Sequence, residues 1–200
     1  MTVRAHCSRW MSAAVFSLAA LCGAAQADSA LDAALAGEHR SEANRARDVY
    51  RHPVETLGFF GIEPDMTVVE LWPGRGWYTE VLAPYLRDKG KLYAAHFPAQ
   101  SNVEYYQKGL AAFKAMLAAN PALYDRVVLT ELGPPDSVAV APAASADAVL
   151  TFRNMHNWMG QGNDVKVMQA AFAALKPGGV LGVVEHRAAA NATAEQVKDS

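Results

Sequence analysis

His96, His156 and the adjacent pair Glu185-His186 are the side chains whose types and placing give this chain chemical reach. Each stands at or just past the end of an apolar run. Imidazoles change charge near neutral pH, and beside a carboxylate they can hold a divalent metal or serve as general bases. No His-x-His or His-x-x-x-His spacing favours a metal, so none is assigned, and His156 and His186 are read as acid/base groups. The plain alternative is that each imidazole makes a local hydrogen bond in a polar loop. A second string, ELWPGRGWYT from Glu70 to Thr79, places Gly74 and Gly76 in a turn after a β-branched run. Glycine there lets a ligand come close to the backbone. A third, SEANRARDVYR at 41–51, carries Arg45, Arg47, Asp48 and Arg51. On a helix Arg47 and Arg51 share a face, with Asn44 one turn before Asp48, and that face can hold a carboxylate bidentately or simply be solvated.

The elements that must position these groups follow from periodicity. Ser41 is a plausible cap for a helix over 41–51, and Pro53 suits the first turn of another ending at Gly61, so residues 28–61 read as a helical arm. TVVEL (67–71) is a strand, and WYTEVLAPYLRDKG (77–90) is an amphipathic helix stopped by Gly90. KLYAAH (91–96) is a strand, 102–120 a helix closed by Pro121, and RVVLTEL (126–132) a strand. DAVLTF (147–152), a Gly-containing loop, a helix over 164–175, the turn Lys176-Pro177-Gly178-Gly179 and the strand VLGVVEH (180–186) complete the series. Alternation of five strands with helices predicts one α/β domain over 62–200. Runs apolar on both faces predict a parallel, doubly wound sheet covered on both sides. Pro134 to Ala146 is the one biased stretch, and no internal repeat is present. Trp77, Tyr78, Phe59 and Phe60 read as packing, while Trp72 and Trp158 flank the ligand loops and can stack on a ring.

With these motifs in place, the stretch from about Ile62 to His186 resembles the class I S-adenosylmethionine-dependent methyltransferases. Glu70, Gly74 and Gly76 match the family's first motif, with Trp72 in place of its first Gly. Leu175 to Gly179 carries its Leu-Lys-Pro-Gly-Gly phrase, and TFRNMHNW (151–158) resembles the segment after its fourth strand. LGFFGI (57–62) and PGRGWYTEVLAPYL (73–86) resemble a group of exported, predicted methyltransferases. The resemblance implies a Rossmann-like doubly wound sheet of class I methyltransferase type, and S-adenosylmethionine as methyl donor. By the same resemblance Glu70 supports the turn, Gly74 and Gly76 admit the ligand, and Asn154 faces its amino-acid end. His96 stands where the family has an acidic residue accepting from both ribose hydroxyls; a neutral imidazole offers one acceptor, which implies weaker nucleoside binding. The family also adds a helix and an antiparallel hairpin after its fifth strand, which leads us to expect a C-terminally incomplete domain with an apolar edge.

Arg4, His6 and Arg9 precede an apolar run from Trp10 to Cys22, and Ala25-Gln26-Ala27 is a small-x-small site. That pattern predicts a signal peptide over 1–27, cleavage before Asp28, and a location outside the cytoplasm, periplasmic or secreted. Leu21 is bulky for a lipid-modified Cys22. Cleavage removes both cysteines, Cys7 and Cys22, and so excludes disulfides and thiol chemistry from the mature chain. It leaves 16 basic and 20 acidic side chains with no basic stripe, which argues against nucleic acid or anionic membrane as partner. Asn191-Ala192-Thr193 is read as a chance glycosylation match. The function expected is methyl transfer to a small-molecule acceptor. A non-catalytic exported binding protein on the same fold is the alternative, and a metal-assisted hydrolase using the His/Glu cluster is a third reading.

Overall fold

A computed structural model describes residues 29–198; the signal peptide read in residues 1–27 lies outside them. The chain opens with α1 (29–36), α2 (Glu42–Arg45), α3 (Asp48–Arg51) and α4 (Pro53–Phe59). The alternating part follows as β1 (Thr67–Leu71), α5 (Thr79–Leu86), β2 (Lys91–His96), α6 (Glu104–Ala119), α7 (Pro121–Tyr124) and β3 (Val128–Glu131). It ends with β4 (Ala146–Phe152), α8 (Met155–Gly160), α9 (Asp164–Ala174), β5 (Leu175–Val184) and α10 (Ala194–Lys198). Among the described residues no helix is long and apolar enough to cross a membrane.

The five strands form one parallel sheet in the order β3-β2-β1-β4-β5, so β1 lies centrally with β2 and β4 beside it. Alternate β1 side chains serve different layers. Val68 packs with Leu57, Val81, Leu82 and Leu150, whereas Val69 and Leu71 pack with Trp72, Phe97, Trp158 and Val167. Burial on both faces is what the apolar Val68, Val69 and Leu71, pointing to opposite sides, require, and it takes Glu70 inside with them. β3 and β5 are the edges among the described strands, and β5 leaves Val180, Leu181 and Val183 partly exposed.

Three local expectations are corrected. The segment 41–51 is two single turns rather than one helix, interrupted at Ala46 and Arg47. Ser41 does cap the first, its Oγ accepting from Asn44 N at 3.1 Å. The loop after β4 contains α8, too short to show a helical period in sequence. Residues 176–179 belong to β5 as an irregularity: Ala146 pairs with Leu175 but Ala148 with Val180, so the extra residues bulge out of the ladder.

The arm packs on α5 and shares its core. Leu31, Ala34 and Leu57 are buried in the layer that holds Val81 and Leu82. A polar seam fixes its approach: Trp77 Nε1 donates to Asn44 O at 2.9 Å, and Asn44 Nδ2 donates to both Glu80 carboxylate oxygens at 2.9 and 2.8 Å. Arg40, buried, donates to both Asp48 oxygens at 2.8 and 2.7 Å.

Candidate functional site

The C-terminal ends of β1 and β4 open into a cleft of about 530 Å³, a size ordinary for small-molecule sites. Parallel strands point their free ends there, and the reversal of strand order between β1 and β4 leaves a crevice. Its wall includes Glu70, Trp72, Gly74, Arg75 and Tyr78 from the first motif, and Phe152, Arg153, Asn154 and His156 from the segment after β4. Asn44, Arg47 and Arg51 of the arm, and His186 after β5, close it. A second lobe of about 380 Å³ adjoins it, sharing Arg47, Arg51, Tyr78, Phe152, Arg153 and His186 and adding Tyr50, Val184 and Glu185.

The turn after β1 is left-handed at three places: Trp72 (φ 47°), Gly74 (φ 61°) and Gly76 (φ 85°). Trp72, which replaces a family glycine, thus adopts the backbone that glycine favours, at a cost of about 1–2 kcal/mol. Burial holds it there: its indole nitrogen donates to Leu132 O at 2.7 Å, and its ring meets Phe97, Tyr106 and Trp158. Trp158 is fully buried and outside the cleft wall, so its expected stacking on a ligand gives way to a packing role, whereas Trp72, also packed, does belong to that wall. The two motif glycines differ. A side chain at Gly74 would meet no atom within 4 Å, whereas one at Gly76 would run into Met116 and Phe113 of α6. Gly74 therefore faces open space in the cleft wall, and Gly76 serves close packing instead of admitting a ligand.

Glu70 is buried, and its Oε2 accepts from Thr79 Oγ1 at 2.6 Å. Burial pushes its carboxyl up to about 7, partly offset by the Thr79 bond and the Arg51 charge. Asn154 reaches the cleft, yet its amide nitrogen contacts Leu71 O at 3.1 Å, Trp72 O at 3.3 Å and Thr151 Oγ1 at 3.1 Å. It ties the end of β4 to the strained turn.

His96 does not line the cleft. It is buried, its Nδ1 accepts from Phe97 N at 2.8 Å, and the remaining N–H donates to Gly74 O at 2.9 Å. Burial lowers its pKa, in keeping with a neutral ring. Its single acceptor nitrogen is therefore already engaged, which corrects the expectation that it receives a ribose hydroxyl. Its visible work is to support the turn at Gly74.

His156, Glu185 and His186 do come together, with ligand-type atoms within 4.8 Å of one another. His156 Nδ1 donates to Glu185 Oε1 at 3.1 Å, and the same carboxylate accepts from Met155 N at 2.8 Å and His186 N at 2.9 Å. Burial raises the Glu185 pKa, but these bonds outweigh it and leave the carboxyl below its ordinary range. Oriented through Nδ1, His156 keeps Nε2 for a proton. His186 Nε2 instead accepts from Arg153 Nε at 3.0 Å, so a guanidinium already occupies that lone pair. A dication bound here would lie against that positive group, so the trio suits proton transfer better than metal binding.

Of the arm residues, Arg47 and Arg51 reach the cleft as their spacing suggests, while Arg45 turns away to donate to Arg40 O at 2.7 Å. Sequence reasoning did not single out Arg75 or Arg153. Their signal was position alone: one lies inside the glycine turn, the other directly follows a strand and takes a left-handed backbone (φ 63°).

No protein-family model matches the sequence, and no curated protein sequence matches it. Among solved structures the chain is similar to a SAM-dependent methyltransferase from Aquifex aeolicus, with TM-score 0.53 and 18% identity over 72% of this chain and 70% of that one. It is more loosely similar to a protein-L-isoaspartate O-methyltransferase, with TM-score 0.48 and 16% identity over 66% of this chain and 36% of the other. An arsenic(III) S-adenosylmethionine methyltransferase from Chlamydomonas reinhardtii gives TM-score 0.44 and 16% identity over 57% of this chain and 36% of the other. These two likenesses are too loose to add to the argument, and the chain spans little more than a third of either. Together with the parallel order β3-β2-β1-β4-β5, the first likeness shows that this chain has the Rossmann-like fold of the class I methyltransferases.

Proposed function

We propose that the chain is an S-adenosylmethionine-dependent methyltransferase acting on a small acceptor, exported if the signal peptide read in its sequence operates. The observation that carries this reading is the left-handed turn after β1. There Gly74 opens onto the cleft beside the buried Glu70, on a fold that the Aquifex aeolicus methyltransferase shares. The donor, bound there, would supply an electrophilic methyl group whose S–C bonding electrons return to sulfur on transfer.

The chain's own residues then have definable tasks. Gly74 leaves its space free for a ligand, and His96 and Asn154 hold the turn in shape from either side. His156 Nε2 takes the acceptor's proton, and Glu185 stabilises the resulting imidazolium through Nδ1. His186, fixed by Arg153, borders the acceptor's space. Alignment of donor and acceptor supplies most of the rate in such a design.

A second reading, an exported protein that binds a small molecule without catalysis, is favoured by His96, whose acceptor nitrogen is spent on Phe97. Calorimetric titration with S-adenosylmethionine tests the first reading through two matched variants. Gly74→Ala and Gly61→Ala both place a methyl group on a left-handed backbone with no atom within 4 Å, but only Gly74 lines the cleft. Gly74→Ala is expected to weaken binding by roughly tenfold or more, equivalent to about 1.4 kcal/mol, and Gly61→Ala to leave it unchanged. Equal affinities for Gly74→Ala and wild type would overturn the assignment.

A further inference from the structure

Four guanidinium groups line the cleft: Arg47 and Arg51 from the arm, Arg75 from the glycine turn, and Arg153 after β4. None of the four lies within ion-pair distance of a carboxylate among the described residues, although Arg40 has two such partners and Arg87 one. Arg51 lies over the Trp77 ring at 4.7 Å and near that of Tyr78 at 5.8 Å, contacts that orient it without neutralising it. Burial, then the charge of Arg47 and more weakly that of Arg153, lower its pKa, so these cations share one electrostatic environment. Among the described residues Glu70 is the only acidic side chain on the wall of the larger lobe.

Converging like charges repel unless an anion joins them, and the proposed donor does not supply a net one. S-adenosylmethionine carries a sulfonium and an ammonium against one carboxylate, so its net charge is positive. Complementarity then requires a second anion. Arg47, Arg51 and Arg153 stand in the wall common to both lobes, with Gly74 and Glu70 in one and Tyr50 and Glu185 bordering the other. Planar guanidinium forks match carboxylate and phosphate oxygens bidentately.

We propose that the methyl acceptor is a small anion, bearing a carboxylate or a phosphate, that Arg47, Arg51 and Arg153 hold beside His156 in the wall between the two lobes. The acceptor assignment rests on the donor reading above; the anion site itself does not.

Calorimetry on the full chain in a low-salt buffer tests it, with inorganic phosphate and succinate as separate probes and S-adenosylmethionine titrated with and without each. At least one probe is expected to bind wild type saturably and to raise donor affinity about threefold to tenfold. The double variant Arg47→Gln/Arg153→Gln should lose roughly tenfold or more in anion affinity and lose the enhancement, while its donor affinity without anion rises. Arg47→Gln alone, at an exposed position of the same wall, gives a milder version of the same result should the double variant unfold. Response to phosphate alone or succinate alone identifies the anion's chemistry. An anion that binds while the donor does not would leave the site standing and sink the methyltransferase reading. Absence of anion binding to wild type, or unchanged anion affinity in both variants, overturns the proposal.

Discussion

Glu70 shows how a single side chain at the cleft trades folded stability for placement. Its carboxyl is buried with a partner for one oxygen, and burial moves its pKa from 4.5 to about 7. The folded chain therefore keeps a proton that the unfolded chain releases. The resulting stability is fully present below pH 4.5 and is lost as the pH rises through about 7. The shift corresponds to roughly 3 kcal/mol. Glu70→Gln removes the ionisation, so urea unfolding at pH 8 should find the variant more stable than wild type by up to roughly 3 kcal/mol, with a much smaller difference at pH 5. Parallel stability profiles across that range would show that Glu70 does not carry the effect. Such a local conflict is what functional sites tend to contain.

Between elements, His96 joins the end of β2 to the turn after β1, accepting from Phe97 N and donating to Gly74 O. The family resemblance, which has an acidic residue at this place, implies that an aspartate there would tighten nucleoside binding. The packing reverses that expectation: His96→Asp puts a carboxylate into a fully buried place, removes the donor to Gly74, and should destabilise the fold by about 3–5 kcal/mol. Thermal unfolding and donor titration together check it; a stable variant with higher affinity would contradict it. Strands β1 and β2 were legible with their bounds intact because each apolar run is stopped two residues past the strand's last by a proline, Pro73 and Pro98. Helix α8 was not, because one turn and a half carries too few apolar positions to show a period. Gly76 and Gly74 look alike in sequence, and only the closeness of α6 to one of them separates their roles.

For the molecule as a whole, the site is a convergence of four distant segments, around Arg47 to Arg51, Glu70 to Tyr78, Phe152 to His156, and Val184 to His186. The last three were legible as strand ends, since a parallel sheet delivers such ends to one side. The meeting of Arg75 and Arg153 with the arm was not, because it depends on how the arm lies across α5 through Asn44, Trp77 and Glu80. The central claim is that this convergence holds a nucleoside methyl donor. Its most direct test is a crystal structure of the chain grown with S-adenosylhomocysteine, the donor's demethylated product. The expected complex has the ligand in the cleft, its backbone contacts at Gly74 and its sulfur directed toward the side bearing His156. A cleft left empty at saturating ligand, or a ligand bound elsewhere on the chain, would contradict it.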